Sequence, residues 1–329
     1  MRMGDGAAAL SNASAAGFLE ERLLDGMLVT KAGNPIALPV AASGAHQPIT
    51  FSGSATSEGS LSLSGDRKFV TLAGYASAPG VASIKAQPSA TVNRVIARVS
   101  ASYEIDTTTR IDNGFDGDNV RGATTQDGTA FWVSGTGPNN TGGVHHVALG
   151  GTTSTQLIGQ VGNLPGNTRV LHIFDGQLYG AAASLPIYGV FTVGTGLPTM
   201  QTTPAVLSGM PTASGPSSYS FALFDRNAAV AGLDTCYVAD DRSVANGGGV
   251  QKWTFDGTTW TLAATFNTGL NGGLRGLAAR ITGANVTLIL TDPANVYILV
   301  DDGSAAPAAT MIATAAANTA YRGVAFSPE

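Results

Sequence analysis

A short phrase recurs along this chain at near-regular spacing, and it limits the possible folds more than any other feature. It appears as Ala320-Tyr321-Arg322-Gly323-Val324-Ala325-Phe326, and again as Asn119-Val120-Arg121-Gly122-Ala123, Asn167-Thr168-Arg169-Val170-Leu171 and Gly273-Leu274-Arg275-Gly276-Leu277. Two weaker copies carry another residue in the Arg position: Ser57-Glu58-Gly59-Ser60-Leu61 and Ser218-Tyr219-Ser220-Phe221-Ala222. Aligned on that position, the copies fall at 58, 121, 169, 219, 275 and 322, spaced 47 to 63 residues apart. Self-similarity on this scale means stacked copies of one supersecondary unit, each burying its apolar face against the next.

The unit is built from strands. Apolar and Thr-rich runs of five to eight residues alternate with Gly, Asp and Asn clusters, and 43 of the 329 residues are Gly. No apolar pattern at helical spacing persists for more than a few turns. In the third copy the reading gives strands at 169–174, 177–182 and 188–193 and near 204–207, with Asp175-Gly176 as the first turn. Asp-Gly between alternating apolar residues is a strong hairpin signal, because a type I′ turn needs positive φ at both centres. Asp127-Gly128, Asp256-Gly257 and Asp25-Gly26 repeat the signal, and the fifth copy reads as strands at 276–281, 286–290, 296–300 and 310–313. Repeats of roughly 40–50 residues made of four short strands predict a β-propeller, here six-bladed and all-β, with four-stranded antiparallel blades.

The last blade is incomplete, because only 7 residues follow Arg322. The N-terminal region has the opposite surplus, with strand-like runs at 17–20 and 27–30 flanking Asp25-Gly26. Residues 1–40 are therefore expected to complete the blade begun at Arg322. Such a closure makes residues 1–329 one propeller domain and removes the exposed sheet edge.

Composition excludes several functions. A net charge of −5 and the lack of any Lys/Arg run leave no basic stripe for nucleic-acid phosphates. No stretch approaches 18 consecutive apolar residues, so no membrane span is expected. Cys236 stands alone in an apolar run and reads as a small buried hydrophobe. The Gly/Ser/Thr/Ala-rich, Lys-poor texture gives the expectation of a secreted or periplasmic bacterial protein whose leader is absent from this sequence. It is expected to be a monomer with no cofactor and no metal site.

Connectivity points to one face. If strand a of each blade starts at the repeat phrase, the loops joining d to a and b to c share a face, and the tight Asp-Gly turns lie on the other. Residues 40–57, 75–92, 111–119, 135–142, 208–217 and 240–247 are long loops of the first face, where binding residues concentrate on rigid scaffolds. The repeat positions open strand a, so Glu58, Arg121, Arg169, Tyr219, Arg275 and Arg322 are expected to ring the mouth of the central channel. Four always-charged guanidiniums there suit a carboxylate, sulfate or phosphate. The competing reading makes them bridges between blades, paired with Asp5, Asp116, Asp118, Asp240, Asp241 or Asp292. The expected partner is a small anionic molecule or a polysaccharide, bound by Arg121, Arg169, Arg275 and Arg322 with Tyr219 and Glu58 setting selectivity. Of the histidines, His172 is placed lower in the channel and His46 in a loop that could reach the mouth. The neighbours His145 and His146 face opposite sides of a strand and cannot chelate one ion.

The repeated Arg-Gly phrase, the run Tyr237-Val238-Ala239-Asp240-Asp241-Arg242 and Gly248-Gly249-Val250-Gln251-Lys252-Trp253 resemble secreted bacterial propellers without an assigned activity. The ring is also weakly similar to that of sialidases. That resemblance implies Arg121, Arg275 and Arg322 as a carboxylate clamp, Tyr219 as nucleophile, Glu58 as its activator, and Asp240 or Asp292 as acid. Two features depart from it: Glu58 and Tyr219 lie three blades apart, and the Asp-box spacing is missing around Asp256. A calcium-dependent propeller lactonase needs oxygen ligands where four Arg stand. Catalysis on an acidic sugar and a purely structural or adhesive role both stay open at this level.

Overall fold

A computed structural model describes residues 1–329. It contains six four-stranded antiparallel sheets, one small two-stranded sheet and two short 3₁₀ turns. The six sheets are the blades of a propeller. Their innermost strands are Ser62–Leu63, Val120–Thr124, Thr168–Phe174, Ser218–Phe224, Gly276–Thr282 and Ala320–Tyr321 for blades 1 to 6. In blades 1 to 5 the four strands follow one another in the chain. The third blade runs Thr168–Phe174, Gln177–Ala182, Val190–Val193 and Pro204–Val206, and Asp175 and Gly176 take φ of 48° and 68°, as its type I′ turn requires.

Blade 6 is closed by the N-terminal region. Ala320–Tyr321 pairs with Arg2–Met3, which pairs with Gly17–Leu19, which pairs with Ile36–Ala37. The expected strand at 27–30 does not form part of the blade; only an isolated bridge joins Arg22 to Leu28 across the Asp25-Gly26 turn. Arg2–Met3, too short to read from sequence, takes the position beside the inner strand instead.

The core is divided by the blades rather than shared. Met1, Leu38, Phe51, Leu72 and Val95 fill the space between blades 6 and 1, and Tyr75, Phe115, Phe131 and Val133 that between blades 1 and 2. Trp132, Leu171 and Phe191 lie between blades 2 and 3, and Phe221, Cys236 and Trp253 between blades 3 and 4. Tyr237, Leu277, Leu288 and Tyr297 form the largest cluster, between blades 4 and 5. The buried apolar cluster between blades 5 and 6 is the smallest, with Ile289, Val296 and Tyr321. Cys236, between blades 3 and 4, is fully buried as expected, and burial pushes its thiol pKa up.

Candidate functional site

Strand a leaves its regular ladder where the repeat phrase begins. In blades 2, 3 and 4 the pairing register with strand b shifts between Val120 and Gly122, between Thr168 and Leu171, and between Ser218 and Phe221. Each bulge contains the repeat position, so Arg121, Arg169 and Tyr219 are turned out of the ladder. Bulges commonly re-aim a side chain in this way. Arg275 immediately precedes its strand and Arg322 immediately follows Ala320–Tyr321.

Backbone bonds between blades fix which residues are equivalent. Ser220 N–H donates to Arg275 O across the blade 4–5 boundary, and Ser60 N–H donates to Arg121 O across the blade 1–2 boundary, both at 3.2 Å. Gly323 N–H donates to Gly59 O at 3.0 Å. The blade 1 member of the ring is therefore Gly59, not Glu58. Glu58 occupies the preceding position, which elsewhere holds Val120, Thr168, Ser218, Leu274 and Tyr321, all buried. Its carboxyl group accepts hydrogen bonds from Tyr75 Oη (2.6 Å), Asn119 Nδ2 (2.5 Å) and Ser52 N (2.8 Å). Burial pushes its pKa up to about 7 against the lowering effect of those donors and of the Arg322 charge.

The four arginines differ in their partners. Arg275 forms a two-pronged ion pair with Asp241, with Nε to Oδ1 and Nη2 to Oδ2 both at 2.8 Å, and its Nη1 donates to Thr56 Oγ1. The other three contact no carboxylate. Arg121 Nη1 donates to Asn167 Oδ1 and to Thr168 O (3.0 Å), and Arg169 Nη1 to Ser217 Oγ (3.1 Å). Arg322 donates to Tyr321 O (3.1 Å) and Gly53 O (3.0 Å). The buried Nε of Arg121, Arg169 and Arg322 has no hydrogen-bond partner at all. Burial lowers the pKa of Arg121 and of Arg322 to about 10, still high enough to keep both charged at neutral pH. Tyr219 is packed between two of the cations, with the guanidinium carbons of Arg169 and Arg275 on its ring.

The recess bounded by Tyr219, Arg275, Arg322, Glu58 and Asp292 is narrow, about 20 Å³, enough for one water-sized group. Part of its wall is an N-terminal device. Ser14–Ala15 and Phe51–Ser52 form the extra two-stranded sheet, which carries Gly53 and Thr56 onto Arg322 and Arg275. Arg94, not singled out by sequence, braces the same face. Fully buried, it donates to the carbonyls of Val92, Gln87, Phe115 and Asp118 and ties two long loops together. Nothing but its place at the start of a strand marked it.

The candidate acids are occupied. Asp240, fully buried, accepts from Arg242, Ser217 N and Gln251. Asp292 accepts from Tyr297 Oη at 2.7 Å and from the backbone and side chain of Asn295. Of the other proposed bridging acids, Asp118 faces Lys85 and Asp116 accepts from Ser89.

His172 does lie lower in the channel. It is three residues beyond Arg169, and the equivalent positions are Ser62, Thr124, Ala222, Ala278 and Ala325. The imidazole fills the space that three alanines leave, with Nδ1 3.1 Å from Ser62 Oγ and Nε2 3.1 Å from Ser220 Oγ. This bridge from blade 1 to blade 4 partitions the channel. Burial lowers the His172 pKa to about 4, so the ring is neutral. His46 does not reach the mouth; its Nδ1 accepts from Thr107 N–H on the outermost strand of blade 1. His145 is buried against Ser154 Oγ (2.8 Å), and His146 packs on Trp132 on the other side of the strand.

No protein family and no curated protein matches the sequence. Among solved structures the chain is similar to a gluconolactonase from Xanthomonas campestris, at 10% identity and a TM-score of 0.46 over 93% of this chain and 89% of that one. It is similar to an auxiliary nutrient binding protein from Bacteroides thetaiotaomicron at 13% identity and 0.47, over 82% and 64% of the two chains. It is also similar to the dihydro-heme d1 dehydrogenase NirN at 9% identity and 0.45, over 91% and 58%. These superpositions are loose, and the six-bladed assignment rests on the strand order given above. No helix is long and apolar enough to cross a membrane.

Proposed function

We propose that the channel mouth binds the anionic group of a small molecule or an acidic polysaccharide, in a protein working outside the cytoplasm. The observation that carries this reading is that Arg121, Arg169 and Arg322, at equivalent positions of blades 2, 3 and 6 and buried or nearly so, have no carboxylate partner and leave their Nε donors unused. Desolvating three like charges together opposes folding, and an arriving carboxylate, sulfate or phosphate offsets that cost through charge-assisted bonds. Of these three arginines only Arg322 lines the recess of about 20 Å³, which is too small for the anion, so the ligand meets the guanidiniums at the open mouth and lies across the loops of the same face. Asp241 neutralises Arg275, and the remaining cations set the charge of the site. The occupied state of Glu58, Asp240 and Asp292 favours binding over acid–base catalysis.

Calorimetric titration with glucuronate, N-acetylneuraminate, sulfate and phosphate at low ionic strength tests this. At least one should bind saturably, with affinity falling as salt rises. No heat and no thermal stabilisation with any of them would leave the arginines as blade bridges only.

A further inference from the structure

A larger cavity opens at the other end of the channel, beyond the His172 partition. Its volume is about 500 Å³, within the range that houses small organic molecules. The inner strands wall it with Phe174 of blade 3, Phe221 and Phe224 of blade 4, Leu277 of blade 5, and Phe326 beyond Arg322. Phe221 meets His172 edge-on at 5.1 Å and lies 6.0 Å from Phe174. Because the imidazole is tied at both nitrogens to serine hydroxyls, the inner end of the cavity offers no free charge.

The lip is polar and unevenly paired. Arg67 is engaged by Glu329 at 2.5 Å. Arg280, exposed on blade 5, stands 4.8 Å from the Phe326 ring centroid and has no carboxylate within ion-pair distance. Asp175 lies on the lip two blades away. From these features we infer that the funnel binds a small aromatic molecule carrying a carboxylate or sulfonate. Its ring lies among the half-buried Phe174, Phe224 and Phe326, and its anion rests on Arg280. Aromatic walls receive a flat ring through offset and edge-to-face contacts. A flexible alkyl chain of equal area loses more conformational freedom on entry. The site is independent of the mouth, being apolar, larger and on the opposite face.

The test uses 8-anilinonaphthalene-1-sulfonate and its uncharged relative N-phenyl-1-naphthylamine as fluorescent probes of the full chain. Both should bind wild type saturably at one site. Arg280→Ala, an exposed change, should weaken the sulfonate roughly tenfold and leave the uncharged probe as it was. Ala279→Trp, which fills the funnel, should abolish both while circular dichroism and melting remain those of a folded protein. If Ala279→Trp fails to fold, Arg280→Ala alone decides by its discrimination between the probes. Binding of the sulfonate unaffected by Arg280→Ala, or equal loss of both probes in that variant, overturns the assignment. So does fluorescence that survives a folded Ala279→Trp, which marks adventitious surface binding or binding at the arginine mouth.

Discussion

The guanidinium carbon of Arg169 lies 3.9 Å from the centroid of the Tyr219 ring, and that of Arg275 lies 4.8 Å from the same centroid. One phenol ring thus contacts two cations, and its negative π-system offsets part of their mutual repulsion. Tyr219→Phe retains the ring and should leave unfolding free energy within about 1 kcal/mol of wild type. Tyr219→Ala removes a side chain only 6% exposed and should cost about 3–5 kcal/mol. Denaturant unfolding of the two variants separates ring from hydroxyl; equal losses would mean that the stacking contributes nothing.

Arginine substitutions should fall into two groups. Arg121→Ala and Arg169→Ala each remove one charge-assisted donor and should weaken an anion that binds the mouth by roughly tenfold to a hundredfold. Neither leaves a carboxylate stranded, so melting of the unliganded protein should change little or rise. Arg275→Ala strands Asp241 and should lower stability by about 1–2 kcal/mol without ligand. Titration and thermal melting of the three variants check this, and identical behaviour of all three would contradict it.

The pH dependence of stability should carry two opposing contributions. His145 and His172 have folded pKa values lowered from 6.5 to about 4 by burial. The unfolded chain binds their protons more readily, so their contribution is present above pH 6.5 and lost as pH falls towards 4. Glu58 has a folded pKa raised from 4.5 to about 7. Its contribution is full below pH 4.5 and lost as pH rises through 7, on the order of 3 kcal/mol over the whole window. Melting curves of wild type and Glu58→Gln between pH 4 and 8 measure the second term. The stability of wild type relative to the variant should fall as pH rises, and a flat or rising difference would refute the assignment.

We propose that the 329 residues fold as one cooperative unit. Residues 1–40 supply three of the four strands of blade 6, so their removal exposes the edge of Ala320–Tyr321 and the flanks of blades 5 and 1. The truncated chain should show no cooperative thermal transition by calorimetry. A sharp, reversible transition in that chain would show that the ring can do without its closing strands.

The repeat was legible because one phrase recurs at the start of each blade and four copies share Arg. The blade 1 register was not. Glu58-Gly59 mimics Arg121-Gly122 and Arg275-Gly276, whereas the inter-blade bonds align Gly59 with the arginines. A one-residue offset exchanges a channel-facing position for a buried one, and the Gly that follows Glu58 as it follows Arg121, Arg275 and Arg322 concealed it. The N-terminal strands were legible as a surplus but not in place. Arg2–Met3 has two residues and no alternation to read, and its partners are fixed only by the closed ring. The His172 partition depends on alanines at three distant positions, a packing relationship that periodicity cannot express.

The thin apolar contact between blades 5 and 6 has a dynamic consequence. Ile289, Val296 and Tyr321 make up its whole buried apolar cluster, the smallest between any two blades, so we expect this joint of the ring to open at least cost. Arg275 and Arg322 stand on its two sides, and Thr291 Oγ1 donates across it to Arg322 O. Amide protons of Ala320–Tyr321 should therefore exchange with solvent sooner than those of Gly276–Thr282, and an anion held between the two arginines would act as a clasp that slows that exchange.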